Sequence, residues 1–256
     1  MSVPDGLGPA LEAFAARRPL LVALDFDGVC APLVDDPSTS RALPGTAEAV
    51  DALVGLDGVT VAFVSGRSLE SLAAVSGSPA GVVLVGGHGA ETGDDVDLPP
   101  EAADLLARAL VAVQEAVDGV PGASAEHKPT TVVLHTRLAS DEDTERVQQV
   151  VFDGPAAWDG VHVRTGHDVV ELSVVAADKG QAVQVLAEQH GAEATLYAGD
   201  DVTDEDAFAV LDEARGDVGV KVGDGETRAR WRVDSPEDVT EVLQELVGLL
   251  RGADRA

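Results

Sequence analysis

The chain has 256 residues and a formal net charge of −29, with 45% hydrophobic residues but only 3% aromatic ones. This acidic balance argues against binding to nucleic acid or to an anionic membrane through bulk electrostatics, and no apolar run is long enough to span a bilayer. The single cysteine excludes an intramolecular disulfide, and the N-terminus lacks a leader pattern, so we expect a cytoplasmic protein.

The first part of the chain alternates helical patterns with short apolar runs. The predicted elements are a helix over 7–18, a strand over 20–25, a helix over 44–54, a strand over 59–64, a helix over 68–75 and a strand over 81–85. This β-α-β-α-β order predicts a parallel sheet with right-handed crossovers.

The pattern changes at a polar segment over 93–100 that contains two prolines and marks a boundary. The elements predicted beyond it are a helix over 100–118, strands over 121–127 and 130–138, a helix over 141–151, and strands over 161–165 and 168–175 with a hairpin turn over 165–168. Such a block is typical of an α+β module with an antiparallel sheet.

The βα alternation then resumes. The predicted elements are a helix over 179–190, a strand over 194–198, a helix over 204–211, a strand over 219–222 and a helix over 239–250. We therefore predict a Rossmann-like α/β core with a parallel sheet, made of residues 1–93 and 177–256, into which an α+β domain of residues 94–176 is inserted.

Two carboxylates follow the first predicted strand. Asp25 and Asp27 come after an apolar run, with one residue between them and Gly28 next. Buried strands seldom end in unpaired acids, because burying an unpaired charge is costly, so the pair favours a divalent-metal site. One carboxylate could also attack phosphorus while the other protonates the leaving oxygen. The alternative is a pair of acids in an exposed loop.

Two further groups come where a predicted strand ends or a helix begins, and ligands bind at the carboxyl ends of strands in an open α/β sheet. Ser65-Gly66-Arg67 could hold phosphate through its hydroxyl and backbone N–H groups, or could simply cap a helix. Lys179 could hold both a nucleophilic carboxylate and phosphoryl oxygens, or could lie on the surface.

The segment over 199–208 is unusually acidic, with five acids in the seven residues 200–206. These carboxylates would repel one another unless some of them bind a cation, and Mg²⁺ prefers oxygen ligands. An acid-rich helix N-terminus would also explain Asp204, Glu205 and Asp206. It explains Asp200, which directly follows an apolar strand, less well.

Other chemical signatures are missing from the sequence. The dinucleotide glycine spacing, the nucleophile elbow, the Walker lysine loop and paired zinc-ligand spacing are all absent. Cys30 lies close to the acidic pair, but neighbouring carboxylates raise the pKa of a thiol, so we predict a buried structural cysteine.

Four groups of residues follow one another in the chain: Asp25 with Asp27, Ser65-Gly66-Arg67, Lys179 and the acidic segment 199–208. In this order they resemble the haloacid dehalogenase superfamily of aspartate-nucleophile phosphatases. Residues 199–208 are similar to the signature of the trehalose-6-phosphate phosphatase family. Further places that resemble this family are Ser65-Gly66-Arg67, His88-Gly89, Glu126-x-Lys128, His135-x-Arg137 and Gly166-His167 with Glu171-Leu172. The resemblance covers roughly residues 20–211.

The resemblance implies Mg²⁺-dependent hydrolysis of trehalose 6-phosphate to trehalose and phosphate through an aspartyl-phosphate. Asp25 would be the nucleophile and Asp27 the general acid and base. Phosphate would be bound by Ser65, Gly66 and Lys179, the last of which is also catalytic. Mg²⁺ would be held by Asp25, the carbonyl of Asp27 and Asp200, with Asp204 as a further ligand or an anchor. The inserted module would be a cap that selects the sugar. The implied substrate-binding residues are Arg67, His88, Glu126, Lys128, His135, Arg137 and Glu171.

The sequence departs from the family pattern at a few positions. Val29 stands where the family usually has Thr, Cys30 where Leu is common, and Ser173-Val174 where Arg-Pro is frequent. We expect the chemistry to survive, because no metal ligand or proton carrier is removed. The change at 173–174 bears instead on the hinge of the cap and on some substrate contacts.

The sequence is also compatible with other functions. The substrate could be another sugar phosphate, such as sucrose phosphate, mannosylglycerate phosphate or a pseudo-disaccharide phosphate. From a different class, the chain could be a non-catalytic phospho-sugar-binding module or a receiver domain phosphorylated on Asp25. A receiver needs neither a cap nor Asp27. An inactive module would usually have lost one of Asp25, Asp27, Lys179 and Asp200, and all four are present. We expect a small-molecule substrate and a monomer.

Overall fold

The computed structural model describes residues 4, 6–77, 79–92, 98–166 and 168–253. The chain divides into two compact units, one made of residues 1–93 and 177–256 and the other of residues 94–176. Residues 93–97 of the predicted polar boundary, and His167 of the predicted hairpin turn, lie outside the described residues.

In the described part of the first unit, six strands form one parallel sheet. These strands are β1 (Leu20–Leu24), β2 (Val59–Val64), β3 (Val82–Val85), β8 (Ala194–Gly199), β9 (Val218–Val222) and β10 (Trp231–Val233). Their spatial order is β10-β9-β8-β1-β2-β3, and every neighbouring pair is parallel. The predicted parallel α/β fold is confirmed, and only β10, a short strand, was not predicted.

Helices cover both faces of this sheet. They are α1 (Leu7–Ala15), α2 (Pro44–Val54), α3 (Leu69–Ser76), α6 (Lys179–Gln189), α7 (Asp204–Ala209) and α8 (Pro236–Ala253). All five residues of β1 are buried, because its alternate side chains enter two different apolar clusters. Leu20, Val22 and Leu24 pack with residues of α1, α2 and α8 on one face of the sheet. Leu21 and Ala23 pack with residues of α6 and α7 on the other. An apolar run without alternation is what a strand covered on both faces requires.

The second unit is an α+β module. Its elements are α4 (Pro100–Val117), β4 (Ser124–His127), β5 (Thr131–His135), α5 (Asp141–Asp153), β6 (His162–Gly166) and β7 (Val169–Ser173). In its described residues, the strands form an antiparallel sheet in the order β4-β5-β7-β6. Val132, Leu134, Val170 and Leu172 pack with apolar residues of α4 and α5 in one cluster, so one face of the sheet is apolar.

A few element ends differ from the predictions. The helix predicted over 7–18 ends at Ala15, in keeping with the proline at position 19, which disfavours helical backbone in the residue before it. The last helix is longer than predicted and begins at Pro236, where proline suits a first helical turn. None of the helices in the described part of the chain combines the length and the hydropathy that crossing a bilayer requires.

Candidate active site

Four predicted site residues of the first unit come after parallel strands, whose carboxyl ends lie at one edge of the sheet. Asp25 follows β1, Ser65 follows β2, His88 comes after β3, and Asp200 follows β8. Strand β1 pairs with both β2 and β8, with Leu24 opposite Phe63 on one side and Ala198 on the other. Strands β2 and β3 lie on one side of β1, and β8, β9 and β10, which come later in the chain, lie on the other side. The strand order therefore reverses at β1, and this edge contains the topological switch point where α/β sheets bind ligands.

Asp25 is buried and held by two donors. Its Oδ1 accepts a hydrogen bond from the backbone N–H of Phe26 at 2.7 Å, and its Oδ2 accepts one from Lys179 Nζ at 2.7 Å. Only 6% of the residue is exposed, so the exposed-loop interpretation is wrong. Burial raises the pKa of Asp25 to about 7 although Lys179 acts in the opposite direction.

Lys179 is the first residue of α6 and is only 1% exposed, so the surface-lysine interpretation is also wrong. Its Nζ donates to Asp25 Oδ2 and, at 2.6 Å, to Asp204 Oδ1. Burial opposes the charged form of the amine, but the two carboxylates outweigh it and raise the pKa of Lys179 above its usual value. The lysine is therefore a buried ammonium group between two acids.

Asp204 begins α7, as the acid-rich helix interpretation predicted, but it is fully buried. Its Oδ1 accepts hydrogen bonds from Lys179 Nζ and from Tyr197 Oη, each at 2.6 Å. Its Oδ2 accepts one from the backbone N–H of Asp201 at 2.8 Å. Both oxygens of Asp204 therefore accept hydrogen bonds from the protein, and one of those donors is the Lys179 ammonium group.

The position of Asp200 is fixed by its neighbours. Gly28 has a φ of +74°, and a Cβ on it would lie 2.1 Å from Asp200 Oδ2, so only glycine lets the carboxylate approach. The buried Lys221 of β9 donates a hydrogen bond to the Asp200 carbonyl. Burial, followed by the charge of Asp204, raises the pKa of the Asp200 carboxyl to about 6.

This group of acids has the composition of a metal site. Asp25, Asp200 and Asp204 each offer a carboxylate oxygen, and these oxygens lie within 4.8 Å of one another. The ionised forms of Asp25 and Asp200 are disfavoured in the protein alone, and a divalent cation beside them would favour ionisation. Oxygen donors of this kind fit a hard cation such as Mg²⁺, Ca²⁺ or Mn²⁺.

Asp27, the second acid of the pair, has different partners. Arg67 binds it with two parallel hydrogen bonds, from Nε to Oδ2 at 2.5 Å and from Nη2 to Oδ1 at 2.7 Å. Ser40 Oγ donates to Asp27 Oδ1 at 2.8 Å. Arg67, which the resemblance assigns to substrate binding, is thus paired with the candidate general acid in this structure.

The backbone around Ser65 joins the ends of β2 and β3. The carbonyl oxygen of Ser65 accepts a hydrogen bond from the N–H of His88 at 2.9 Å, and its Oγ accepts one from the N–H of Arg67 at 3.2 Å. Helix α3 is capped by Ser68, not by Ser65, so the cap interpretation of Ser65 is wrong. His88 has left-handed backbone, with a φ of 56°, and its ring packs so closely on Gly66 that a Cβ there would lie 2.5 Å away.

In the second unit, four predicted residues meet in what we call the polar face of its sheet, defined by Glu126, Lys128, His135 and Glu171. His135 Nε2 lies 2.8 Å from Glu126 Oε2, and this hydrogen bond lowers the pKa of Glu126. Lys128 Nζ lies 3.5 Å from Glu171 Oε1. Arg137 is exposed two residues beyond the end of β5.

Ser40, Lys221 and Tyr197 contact predicted site residues but were not themselves predicted. Ser40 lies in a loop and carries no sequence signal. Lys221 did carry one, since a lysine in the otherwise apolar strand Val218–Val222 needs a buried partner. Tyr197 is the single tyrosine of the chain and lies three residues before Asp200.

The predicted role of Cys30 is confirmed. The cysteine is free and fully buried, and burial, with Asp25 and Asp27 in addition, raises the pKa of its thiol. Val29 is also fully buried in the same apolar cluster, so the side chain that replaces the usual Thr packs as a core residue.

Comparison with known proteins identifies the family. A model described as Trehalose-phosphatase matches residues 23–240. A trehalose-phosphate phosphatase of Mycobacterium bovis (strain BCG / Pasteur 1173P2) is 32% identical over 272 residues, which cover 98% of this chain and 67% of the relative. The chain therefore spans about two thirds of the length of this relative.

Solved structures agree with this result. The crystal structure of a trehalose-6-phosphate phosphatase related protein has a TM-score of 0.74 at 25% identity and covers 92% of this chain and 100% of that chain. The C-terminal domain of trehalose-6-phosphate phosphatase from C. albicans shares the fold, with a TM-score of 0.79 at 23% identity over 96% of this chain and 98% of that one. A haloacid dehalogenase-like hydrolase from Bacteroides thetaiotaomicron has the same fold, with a TM-score of 0.62 at 14% identity over 88% of this chain and 98% of that one, which confirms the predicted haloacid dehalogenase fold. The family model and the relative at 32% identity show that the chain belongs to the trehalose-phosphatase family.

Proposed function

We propose that this protein hydrolyses trehalose 6-phosphate to trehalose and phosphate through an aspartyl-phosphate on Asp25, with Mg²⁺ as its cofactor. The observation that carries the proposal is the buried ion pair of Asp25 and Lys179 beside Asp200 at the switch point of the sheet. In this pair Lys179 Nζ lies 2.7 Å from Asp25 Oδ2. Membership of the trehalose-phosphatase family supports the choice of substrate.

In the first step, Asp25 attacks phosphorus. An oxygen of its carboxylate forms a bond to phosphorus as the bond from phosphorus to the sugar oxygen breaks. Hydrogen bonds from the Phe26 N–H and Lys179 orient the carboxylate, so little reorganisation is needed on attack. Lys179, together with Ser65 and the backbone at Gly66, balances the charge of the phosphoryl oxygens.

Asp27 moves the protons of the reaction. As a carboxylic acid it gives its proton to the departing sugar oxygen, and as a carboxylate it then takes a proton from water. That water attacks the aspartyl-phosphate, which releases phosphate and regenerates Asp25. Arg67 donates hydrogen bonds to both carboxylate oxygens of Asp27, and Ser40 donates to one of them. Arg67 remains our candidate for contact with the substrate, and so does His88.

Mg²⁺ would be held by Asp25, Asp200 and the carbonyl of Asp27, with Asp204 as a ligand or as the anchor of Lys179. When bound, the ion would stabilise negative charge on the phosphoryl oxygens. The raised pKa values of Asp25 and Asp200 support this assignment, because they mark carboxylates that lack a sufficient counter-charge in the protein alone.

We propose that the second unit is a cap whose polar face binds sugar hydroxyl groups. Glu126, Lys128, His135 and Glu171 offer donors and acceptors on one side of the antiparallel sheet, and Arg137 is exposed nearby in sequence. A disaccharide has many hydroxyls, and a site built to bond them rejects substrates that leave its polar groups unpaired.

We also propose that the protein is a monomer in the cytoplasm. Size-exclusion chromatography with light scattering tests the oligomeric state.

Phosphate release from a panel of sugar phosphates, measured with Mg²⁺, tests the substrate. We expect kcat/KM for trehalose 6-phosphate to exceed that for glucose 6-phosphate, sucrose phosphate and mannosylglycerate phosphate. Equal values for trehalose 6-phosphate and glucose 6-phosphate would refute the substrate assignment. A better rate on another disaccharide phosphate would keep the chemistry and change the sugar.

The variant Asp25→Asn tests the mechanism. Because an amide cannot form the phosphoenzyme, we expect kcat to fall by more than about 1000-fold. Trapping a ³²P label from a labelled substrate on acid quench provides a second measurement, since the wild type should retain acid-stable label and the variant none. Near wild-type turnover by Asp25→Asn would rule out an aspartyl-phosphate at this residue.

A further inference from the structure

Tyr197 is a buried polar residue that the proposed mechanism does not use. Its side chain is fully buried on β8, and its ring packs edge-on against Phe208 with centroids 5.5 Å apart. A buried phenol normally finds a hydrogen-bond partner, which is often a backbone carbonyl or another neutral group. Here the partner is a carboxylate, because Tyr197 Oη donates to Asp204 Oδ1 at 2.6 Å.

The oxygen that Tyr197 contacts is the same one that contacts Lys179. Asp204 Oδ1 accepts from Lys179 Nζ at 2.6 Å, and Lys179 Nζ also donates to Asp25 Oδ2 at 2.7 Å. A continuous chain of buried hydrogen bonds therefore runs from Tyr197 through Asp204 and Lys179 to the candidate nucleophile. Such bonds are strong because each involves a charged group in surroundings of low dielectric.

We propose that Tyr197 is a positioning residue, whose hydroxyl shares Asp204 Oδ1 with Lys179 and thereby sets how closely the lysine ammonium approaches Asp25 and the transferring phosphoryl group. Without the hydroxyl, Asp204 has Lys179 as its only side-chain donor on that oxygen in the described structure, and it draws the ammonium away from Asp25. This inference rests on the proposed function, because it concerns the same reaction.

The variant Tyr197→Phe removes the hydroxyl and keeps the ring that packs on Phe208. We expect kcat to fall about tenfold, the size expected for one hydrogen bond to a charged group, with KM changed by less than about twofold. Trehalose 6-phosphate and p-nitrophenyl phosphate should lose the same factor, because Lys179 acts on the phosphoryl group and not on the sugar.

Thr46→Val is the matched control. Thr46 is fully buried, and its hydroxyl lies 2.6 Å from that of Thr240 between α2 and α8, so this variant also loses one buried hydroxyl hydrogen bond. Its melting temperature should fall by a similar amount while kcat stays at the wild-type value. If Tyr197→Phe keeps the wild-type kcat, or if Thr46→Val loses as much turnover, the inference is overturned.

A spectroscopic measurement tests the same chain of bonds without turnover. Because the chain has one tyrosine, 3-fluorotyrosine supplied during expression labels position 197 alone. We expect its single ¹⁹F resonance to shift when Mg²⁺ and beryllium fluoride, a mimic of a phosphoryl group on a carboxylate, are added to the full chain. An unchanged resonance in a protein that binds beryllium fluoride by calorimetry would contradict the inference.

A double-mutant cycle with Asp204→Asn separates positioning from general destabilisation. If Tyr197 acts through Asp204, the two losses of kcat will not multiply in the double variant, whereas independent losses would multiply and would overturn the inference. A wild-type protein that releases no phosphate from either ester overturns the proposed function and this inference with it. An active wild type with an equally active Tyr197→Phe overturns the inference alone.

Discussion

At the scale of single residues, Gly28 has two separate reasons to be glycine. Its φ of +74° is unfavourable for any side chain, and the carboxylate of Asp200 fills the space that a Cβ would need. The first reason concerns the stability of the backbone, while the second concerns the geometry of the acids. A matched pair of variants can separate them, because Gly77 has the same φ of +74° with nothing within 4 Å of the position that a Cβ would take.

We predict that Gly28→Ala will lower both the affinity for Mg²⁺ and kcat by at least about tenfold, because the new methyl group must push Asp200 away from its position. Gly77→Ala should keep its activity. Backbone strain should lower its free energy of unfolding by about 1–2 kcal/mol, and the same strain acts in Gly28→Ala. Titration of phosphate release with Mg²⁺, together with thermal denaturation, measures both effects. Equal kinetic effects in the two variants would show that Asp200 is not displaced.

At the scale of secondary-structure elements, strand alternation gives the sheet of the second unit a polar face and an apolar face. In the register of its sheet, Glu126 lies opposite Val133, and Val133 lies opposite Glu171, so these residues share one face. Val132, Leu134, Val170 and Leu172 take the other face and form the core of the unit. Because side chains alternate with period two, the same strands supply a polar surface and an apolar one.

We predict that Glu126→Gln and Glu171→Gln will raise KM for trehalose 6-phosphate by about tenfold or more and will leave KM for p-nitrophenyl phosphate within about twofold. The reason is that an aryl phosphate has no sugar hydroxyls to bond. Glu142→Gln, on exposed surface in the first turn of α5, removes the same charge away from the polar face and should change neither constant. Equal changes for both substrates would place these glutamates outside the sugar site.

At the scale of the whole molecule, the acids at the strand ends make the free energy of unfolding depend on pH. Burial raises the pKa of Asp25 to about 7 and that of Asp200 to about 6, from 3.8 for an ordinary aspartate. The folded state therefore holds these protons more tightly than the unfolded state. The corresponding stabilisation is complete below about pH 3.8 and is lost as the pH rises through 6 and 7.

We predict that Mg²⁺ will stabilise the protein more strongly as the pH rises from 5 to 8, because the ion needs the deprotonated carboxylates. At about 100 times its Kd, Mg²⁺ should add about 2.7 kcal/mol to the free energy of unfolding at pH 8 and little at pH 5. Thermal denaturation with Mg²⁺ or with EDTA at four pH values measures this. In Asp200→Asn, Mg²⁺ should add no stability at any pH. A stabilisation of the wild type by Mg²⁺ that is as large at pH 5 as at pH 8 would contradict the prediction.

Much of this architecture could be predicted from the sequence because the signals are local. The apolar runs of β1, β2 and β8 fix the sheet, and the acids and the glycine that follow them mark its functional edge. The partners of those acids could not be predicted, since they depend on distances in space. Arg67 looks like a free cation in the sequence but binds Asp27, and Tyr197 looks like an ordinary core residue but bonds Asp204.

The central position of β1 also has a consequence for the order in which the protein folds during synthesis. Strand β1 pairs on one side with β2, which follows soon after it, and on the other side with β8, which begins only at Ala194. Until that residue leaves the ribosome, one edge of an entirely apolar strand has no native neighbour and is open to aggregation. The strands of the second unit lie between Ser124 and Ser173 and can pair before then. The inserted unit can therefore form its antiparallel sheet before the last three strands of the parallel sheet have been synthesised.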